Sequence, residues 1–92
     1  MGWIGLERVN PKAEKYFEML DKWMRKNIGK VFNVTDTVRG MHLPIKSGYV
    51  TQNKIKIEML RDHYNTHEID GLRIEKLYKN GRAYYRMVRI KK

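Results

Sequence analysis

The dipeptide Asn80-Gly81 constrains this chain more than any other feature. Asn and Gly both tolerate positive φ, which a two-residue type I′ turn needs at both central positions. The dipeptide lies between residues 72–79 and 82–90, two runs rich in β-branched and aromatic side chains, so the local pattern predicts a β-hairpin. With a two-residue turn, Lys79 faces Arg82, Leu77 faces Tyr84, Glu75 faces Arg86 and Ile74 faces Met87. One face then carries Leu72, Ile74, Tyr78, Ala83, Tyr85 and Met87, which suits a core. The other carries Arg73, Glu75, Leu77, Lys79, Arg82, Tyr84, Arg86 and Val88, which suits a polyanion. A one-residue slip would bury three arginines, so the pairing register is strongly determined.

Upstream, the period changes from two to 3.6 residues. Asn10-Pro11 is a helix start, with Asn able to cap free N–H groups and Pro preset for the first turn. Ala13, Tyr16, Phe17, Leu20, Trp23, Met24 and Ile28 then form one apolar stripe, predicting a helix over 11–28 that Gly29 ends. Glu18 with Lys22 and Asp21 with Arg25 stand four apart on its polar side, acid before base. Residues 31–34 read as a short strand, and Thr35 as the cap of a brief helix over 36–41. Pro44 and Gly48 bracket a loop. Thr51 reads as a further cap, before a stripe of Ile55, Met59, Leu60 and Tyr64 over 52–64. The run K-I-K-I-E at 54–58 serves equally as a half-buried strand; helix is the reading adopted here. Residues 1–10, with Trp3, Ile4, Leu6 and Val9, form an apolar segment expected to pack on the body or on a second copy. The remainder, 11–92, reads as one small domain, with no internal repeat.

Helix, short strand, short helix, loop, helix and hairpin is the element order of the winged helix-turn-helix domain, and the chain resembles that superfamily over residues 11–90. The resemblance is carried by Val31-Phe32-Asn33-Val34-Thr35-Asp36, by the helix opening Thr51-Gln52-Asn53-Lys54, and by the hairpin from Tyr78 to Arg86. It implies an α+β fold of three helices with a small antiparallel sheet and a C-terminal β-hairpin wing. It also implies a third helix in the DNA major groove and a wing along the backbone or in the minor groove. Base reading would fall to Gln52, Asn53, Lys54 and Lys56, and backbone or minor-groove contact to Lys79, Asn80, Arg82 and Arg86. Lys46 and Thr51 beside the helix opening, and Tyr84 on the wing, complete the DNA-contact candidates. Two features depart from the family pattern. The linker over 42–50 is longer than that of a tight helix-turn-helix, and Glu58 and Asp62 lie on the polar side of the reading helix, so contacts are expected on its first two turns.

The charge distribution points the same way. The chain of 92 residues carries a formal net charge of +10. Residues 37–57 hold Arg39, Lys46, Lys54 and Lys56 without an acid, and 79–92 hold six bases without an acid, whereas residues 58–78 are net acidic. Such an excess is relieved by a polyanion. Gln52 and Asn53 have the amide geometry that pairs with adenine, or they merely begin a helix. Tyr84 either stacks on a nucleotide or packs on Leu77 across the hairpin. The Tyr and Trp content raises a second class, an RNA or single-strand binder, although most of these rings fall on core stripes. A third class is a winged helix used for protein–protein contact through Trp3, Ile4 and Leu6.

His63 and His67 stand four apart near Asp62, Glu68 and Asp70, but Asn65-Thr66 reads as a helix end that would break a metal site, so no metal is expected. With no cysteine, one serine and no Gly-rich phosphate loop, neither a cofactor nor an enzyme is expected. The absence of cysteine favours an intracellular home. No apolar run exceeds three residues, so no membrane span is expected, and Leu6 stands where a myristoylation motif needs Ser or Thr. The sequence therefore predicts a small duplex-DNA-binding transcriptional regulator, paired as a homodimer through the N-terminal segment or the first helix.

Overall fold

The computed structural model describes the backbone of residues 11–90 and the side chains of residues 15–90. The order is α1 (Pro11–Lys26), α2 (Val34–Gly40), α3 (Ser47–His67), a 3-10 turn (Ile69–Gly71), β1 (Leu72–Lys79) and β2 (Arg82–Arg89). The fold is α+β, three helices followed by a C-terminal antiparallel hairpin, a winged-helix-like topology. The N-terminal segment 1–10, with its packing role and the Asn10 cap, lies outside the described residues, as do Lys91 and Lys92.

The hairpin has the register its turn requires, with Lys79 opposite Arg82, Leu77 opposite Tyr84, Glu75 opposite Arg86 and Ile74 opposite Met87. Asn80 at φ 51° and Gly81 at φ 77° supply the paired positive angles of the turn. Leu72, Ile74, Tyr85 and Met87 are buried as expected, but Tyr78, assigned to the core face, is 69% exposed. The hairpin projects past the helices at that point, and residues 78–82 are all exposed.

α1 stops two residues before the expected end. Gly29, just past it, donates its N–H to Met87 O at 2.8 Å, which ties the exit of α1 to β2. The strand expected at 31–34 shrinks to one bridge, in which Phe32 and Tyr85 exchange backbone hydrogen bonds at 2.9 and 2.7 Å. Asn33, not Thr35, caps α2. Its side chain accepts from Asp36 N at 2.8 Å while Asp36 accepts from Asn33 N at 3.0 Å, a reciprocal capping box. α2 lies close against α1: a Cβ at Gly40 would stand 2.0 Å from the Trp23 indole nitrogen.

The larger correction concerns α3. It begins at Ser47 and ends at His67, so Thr51 lies within the helix instead of capping it, and residues 54–58 are helical. The linker from α2 is correspondingly shorter than the sequence suggests. The buried stripe of α3 is Asn53, Ile57, Leu60 and Tyr64, whereas Ile55 is 56% exposed. Ile55 and Ile57 are two residues apart, roughly 200° around a helix, so only one of them can face the core. Phe17, Leu20 and Met24 of α1, Phe32, and the buried residues of the hairpin complete that core.

Polar anchors fix the elements relative to one another. The Asn65 side chain accepts from Ile74 N at 2.9 Å and donates to Ile74 O at 3.0 Å, seating β1 on α3. One residue earlier on α3, Tyr64 donates to Asp21 and accepts from Arg25 at 2.8 Å, and Arg25 reaches on to Asp70 at 2.7 Å. Asp21, placed on the solvent side of α1 by its spacing, therefore belongs to an interior network. Burial raises its carboxyl above the usual range, although the Tyr64 and Arg25 hydrogen bonds oppose that.

Candidate nucleic-acid interface

The residues expected to read bases separate onto different sides of α3. Asn53 is fully buried: it accepts from the Tyr16 hydroxyl, donates to Thr37 Oγ1 at 2.8 Å and contacts Met41 Sδ at 3.5 Å. It joins three helices and has no exposed edge to offer a base, so the proposed Asn53–adenine contact does not stand. Lys56 is half-buried, with Nζ 4.7 Å from the Phe17 ring centroid and 5.4 Å from that of Tyr16. This cation–π seat turns it toward α1 and away from the wing, which removes it from the reading surface. Gln52 and Lys54 are both exposed, but two residues of helix put them about 160° apart.

Lys54 is the member of that group that the fold brings to the wing. It lines a cleft of about 290 Å³ together with Asn33, Val34, Thr35, Arg82, Ala83, Tyr84 and Tyr85. Three elements thus meet there, and Lys54, Arg82 and the half-buried Tyr84 are among the residues that line it. Tyr84 also stands opposite Leu77, so its cross-strand position and its place in the cleft coexist. Lys79 and Asn80 are exposed at the wing tip. Lys46 is exposed at the position before α3, and Thr51 is exposed one turn further on. The first turn of α3 carries no acid and no side chain caps it, which leaves its free N–H groups and positive dipole end beside Lys46.

Ion pairing sorts the basic residues further. Glu58 draws Lys76 to 2.6 Å and Arg61 to 3.0 Å, and accepts from the Tyr85 hydroxyl at 2.6 Å. Burial opposes ionisation of this carboxyl, but the Lys76, Tyr85 and Arg61 hydrogen bonds prevail and lower its pKa from 4.5 to about 2. Burial, helped by the same contact, pushes the Tyr85 phenol up to about 12. Glu58 therefore faces inward on bases and repels phosphate far less than the sequence suggests. Glu75 holds Arg86 at 2.7 Å and Arg73 at 3.0 Å, so Arg86 is tied within the hairpin instead of standing free on the wing. Lys46, Lys54, Lys79, Arg82 and Arg89 have no carboxylate partner among the described residues, and neither do Lys22, Lys26 and Lys30 on the α1 side or Lys56.

α3 runs through Asn65 and Thr66, so His63 and His67 share a helical face after all, with ring centroids 5.0 Å apart. Among the described residues, no group of three or more His, Cys, Asp or Glu is arranged to hold a metal. No helix among them is long and apolar enough to cross a membrane. Comparison with protein-family models, with curated proteins and with solved structures finds no match to this chain.

Proposed function

We propose that this chain is a winged-helix protein that binds duplex DNA, an intracellular transcriptional regulator without catalytic chemistry. The first half of α3 enters the major groove, and the hairpin lies on the flanking backbone. One observation carries this reading: Lys54 of α3 and Arg82 of the wing line one cleft, and neither has a carboxylate partner among the described residues. Backbone phosphates supply the missing counter-charge, with release of condensed ions. A homodimer through residues 1–10 or the outer face of α1, where Met19 is 45% exposed, would present two such surfaces to a symmetric site.

A second reading has one feature in its favour. Tyr78 stands 69% exposed on the hairpin with the Lys76 ammonium 5.6 Å from its ring centroid, a platform on which an unpaired base could stack. Competition at fixed salt separates the two. The duplex reading expects unlabelled duplex to displace a labelled duplex better than either single strand does; preferential displacement by single strands would overturn it.

A further inference from the structure

The capping box of α2 stands between two cavities. Asn33 lines the wing cleft, whereas Asp36 lines a second cavity, of about 320 Å³, bounded by the end of α1, residues 30–32 and α2. Small-ligand sites combine an apolar, often aromatic wall with a few polar groups in clefts of this order of size. The wall here is built on Trp23 and Phe32, packed edge to face with ring centroids 5.1 Å apart. Gly40 backs the indole, since a Cβ there would stand 2.0 Å from its nitrogen and displace the ring. Val31 completes the apolar lining and is 47% exposed, while Phe32 is buried behind it. A lone exposed valine is ordinary on a protein surface. This one borders a half-buried indole in a concave site.

The polar groups of the lining are unevenly engaged. Asn27 donates its side-chain N–H to Trp23 O at 2.8 Å, which buttresses the same wall. Asp36, the one acid in the lining, accepts from Asn33 N at 3.0 Å with one oxygen and faces Arg39 Nη1 at 3.5 Å with the other. Lys30 has no carboxylate partner among the described residues. Two cations against one acid leave the cavity one positive charge in excess. A cationic guest would meet Lys30 and Arg39, and a compact polyanion would gain nothing from the indole and Val31. A flat ring bearing a single negative charge uses both features. We propose that this cavity is a binding site for a small aromatic carboxylate, its ring against Trp23 and Val31 and its carboxylate held by Lys30 with Arg39 beside it.

The site shares no lining residue with the wing cleft, and its test does not depend on duplex binding. The full chain, labelled with nitrogen-15, is titrated with benzoate at neutral pH while the amide and indole N–H shifts are followed. Saturable shifts with a Kd on the order of 1 mM or tighter are expected at the Trp23 indole and at the backbone of residues 30–32 and 39–40. Benzamide keeps the shape without the charge, and cyclohexanecarboxylate keeps the charge without the aromatic ring; each should bind about threefold more weakly or worse. Lys30→Gln should bring benzoate down to the affinity of benzamide, Lys30→Arg should retain it, and Val31→Asp should abolish it. Both positions are exposed, so these variants keep the fold, which the same spectra check. Equal binding of either control compound, an unchanged affinity in Lys30→Gln, or shifts confined to other basic surfaces such as residues 79–82 would overturn the site. So would the absence of saturable binding by the full chain, as when another part of the chain fills the cavity.

Discussion

Two basic surfaces flank the hairpin, and they differ in what their charges do. On one, a trough lined by Arg61, Arg73, Lys76 and Arg86, every cation has a carboxylate partner in Glu58 or Glu75. On the other, Lys54 and Arg82 line the cleft, the exposed Lys79 stands opposite Arg82 in the hairpin, and none of the three has a carboxylate partner among the described residues. The first surface uses charge to hold α3 to the hairpin. The second leaves charge available to an outside polyanion. Net charge along a sequence does not distinguish these uses, since Arg86 and Arg82 belong to the same acid-free run and end on different sides of the division.

The strongest way to break the comparison is to disarm Glu58. Glu58→Gln deprives Lys76 and Arg61 of their partner, and the expected loss is on the order of 2 kcal/mol of stability, read by urea denaturation. The pH dependence follows with a definite sign. Because its folded pKa is lowered from 4.5 to about 2, the Glu58 contribution is fully present above about pH 5. The stability gap between wild type and Glu58→Gln should close as pH falls toward 2. A gap that stays constant from pH 6 to 2 would show that Glu58 is not held as an ion.

The opposite surface should respond in the opposite property. Arg82→Ala and Lys54→Ala should each lower duplex affinity by roughly fivefold to tenfold at 0.1 M salt, one phosphate contact apiece, and shift stability by less than about 0.5 kcal/mol. Arg86→Ala should cost less affinity than Arg82→Ala, because Glu75 already occupies its guanidinium. The smallest effect sharpens the division. Glu75→Gln releases Arg73 and Arg86 from their shared carboxylate and should raise duplex affinity by about twofold to fivefold. An affinity unchanged by that substitution would mean that the trough side never meets DNA.

How much of this was legible in the sequence depended on how local the determinants are. The hairpin register was readable pair by pair, because an Asn-Gly turn and a period of two fix it within eighteen residues. The rotational phase of α3 was not. Its core stripe contains an asparagine, and Asn53 is buried only because Tyr16, Thr37 and Met41 arrive from α1, α2 and the end of α2 to satisfy it. Those partners stand far off in the chain, and a polar residue in the stripe shifted the apparent face toward Ile55. The spacing of Ile57, Leu60 and Tyr64 was the signal that would have set the phase correctly. Thr51 was similarly misplaced because Ser47 and Gly48 read as loop, although they open the helix.

The wing tip residues Lys79, Asn80 and Arg82 are exposed, as their position at the turn implies. The seat of Lys56 was hidden, since it depends on the α1 rings meeting it in space, whereas the Glu75–Arg86 pair already follows from the hairpin register.

The measurement that bears most directly on the division between structural and available charge is the salt dependence of duplex binding. The full chain is compared with a Lys54→Ala, Lys79→Ala, Arg82→Ala variant, and log K is followed against log salt concentration. Each phosphate contact contributes about 0.9 to the slope, so the variant should lose about 2.7 while its denaturation midpoint stays at the wild-type value. A variant that binds with the wild-type slope would contradict the assignment of this surface to DNA.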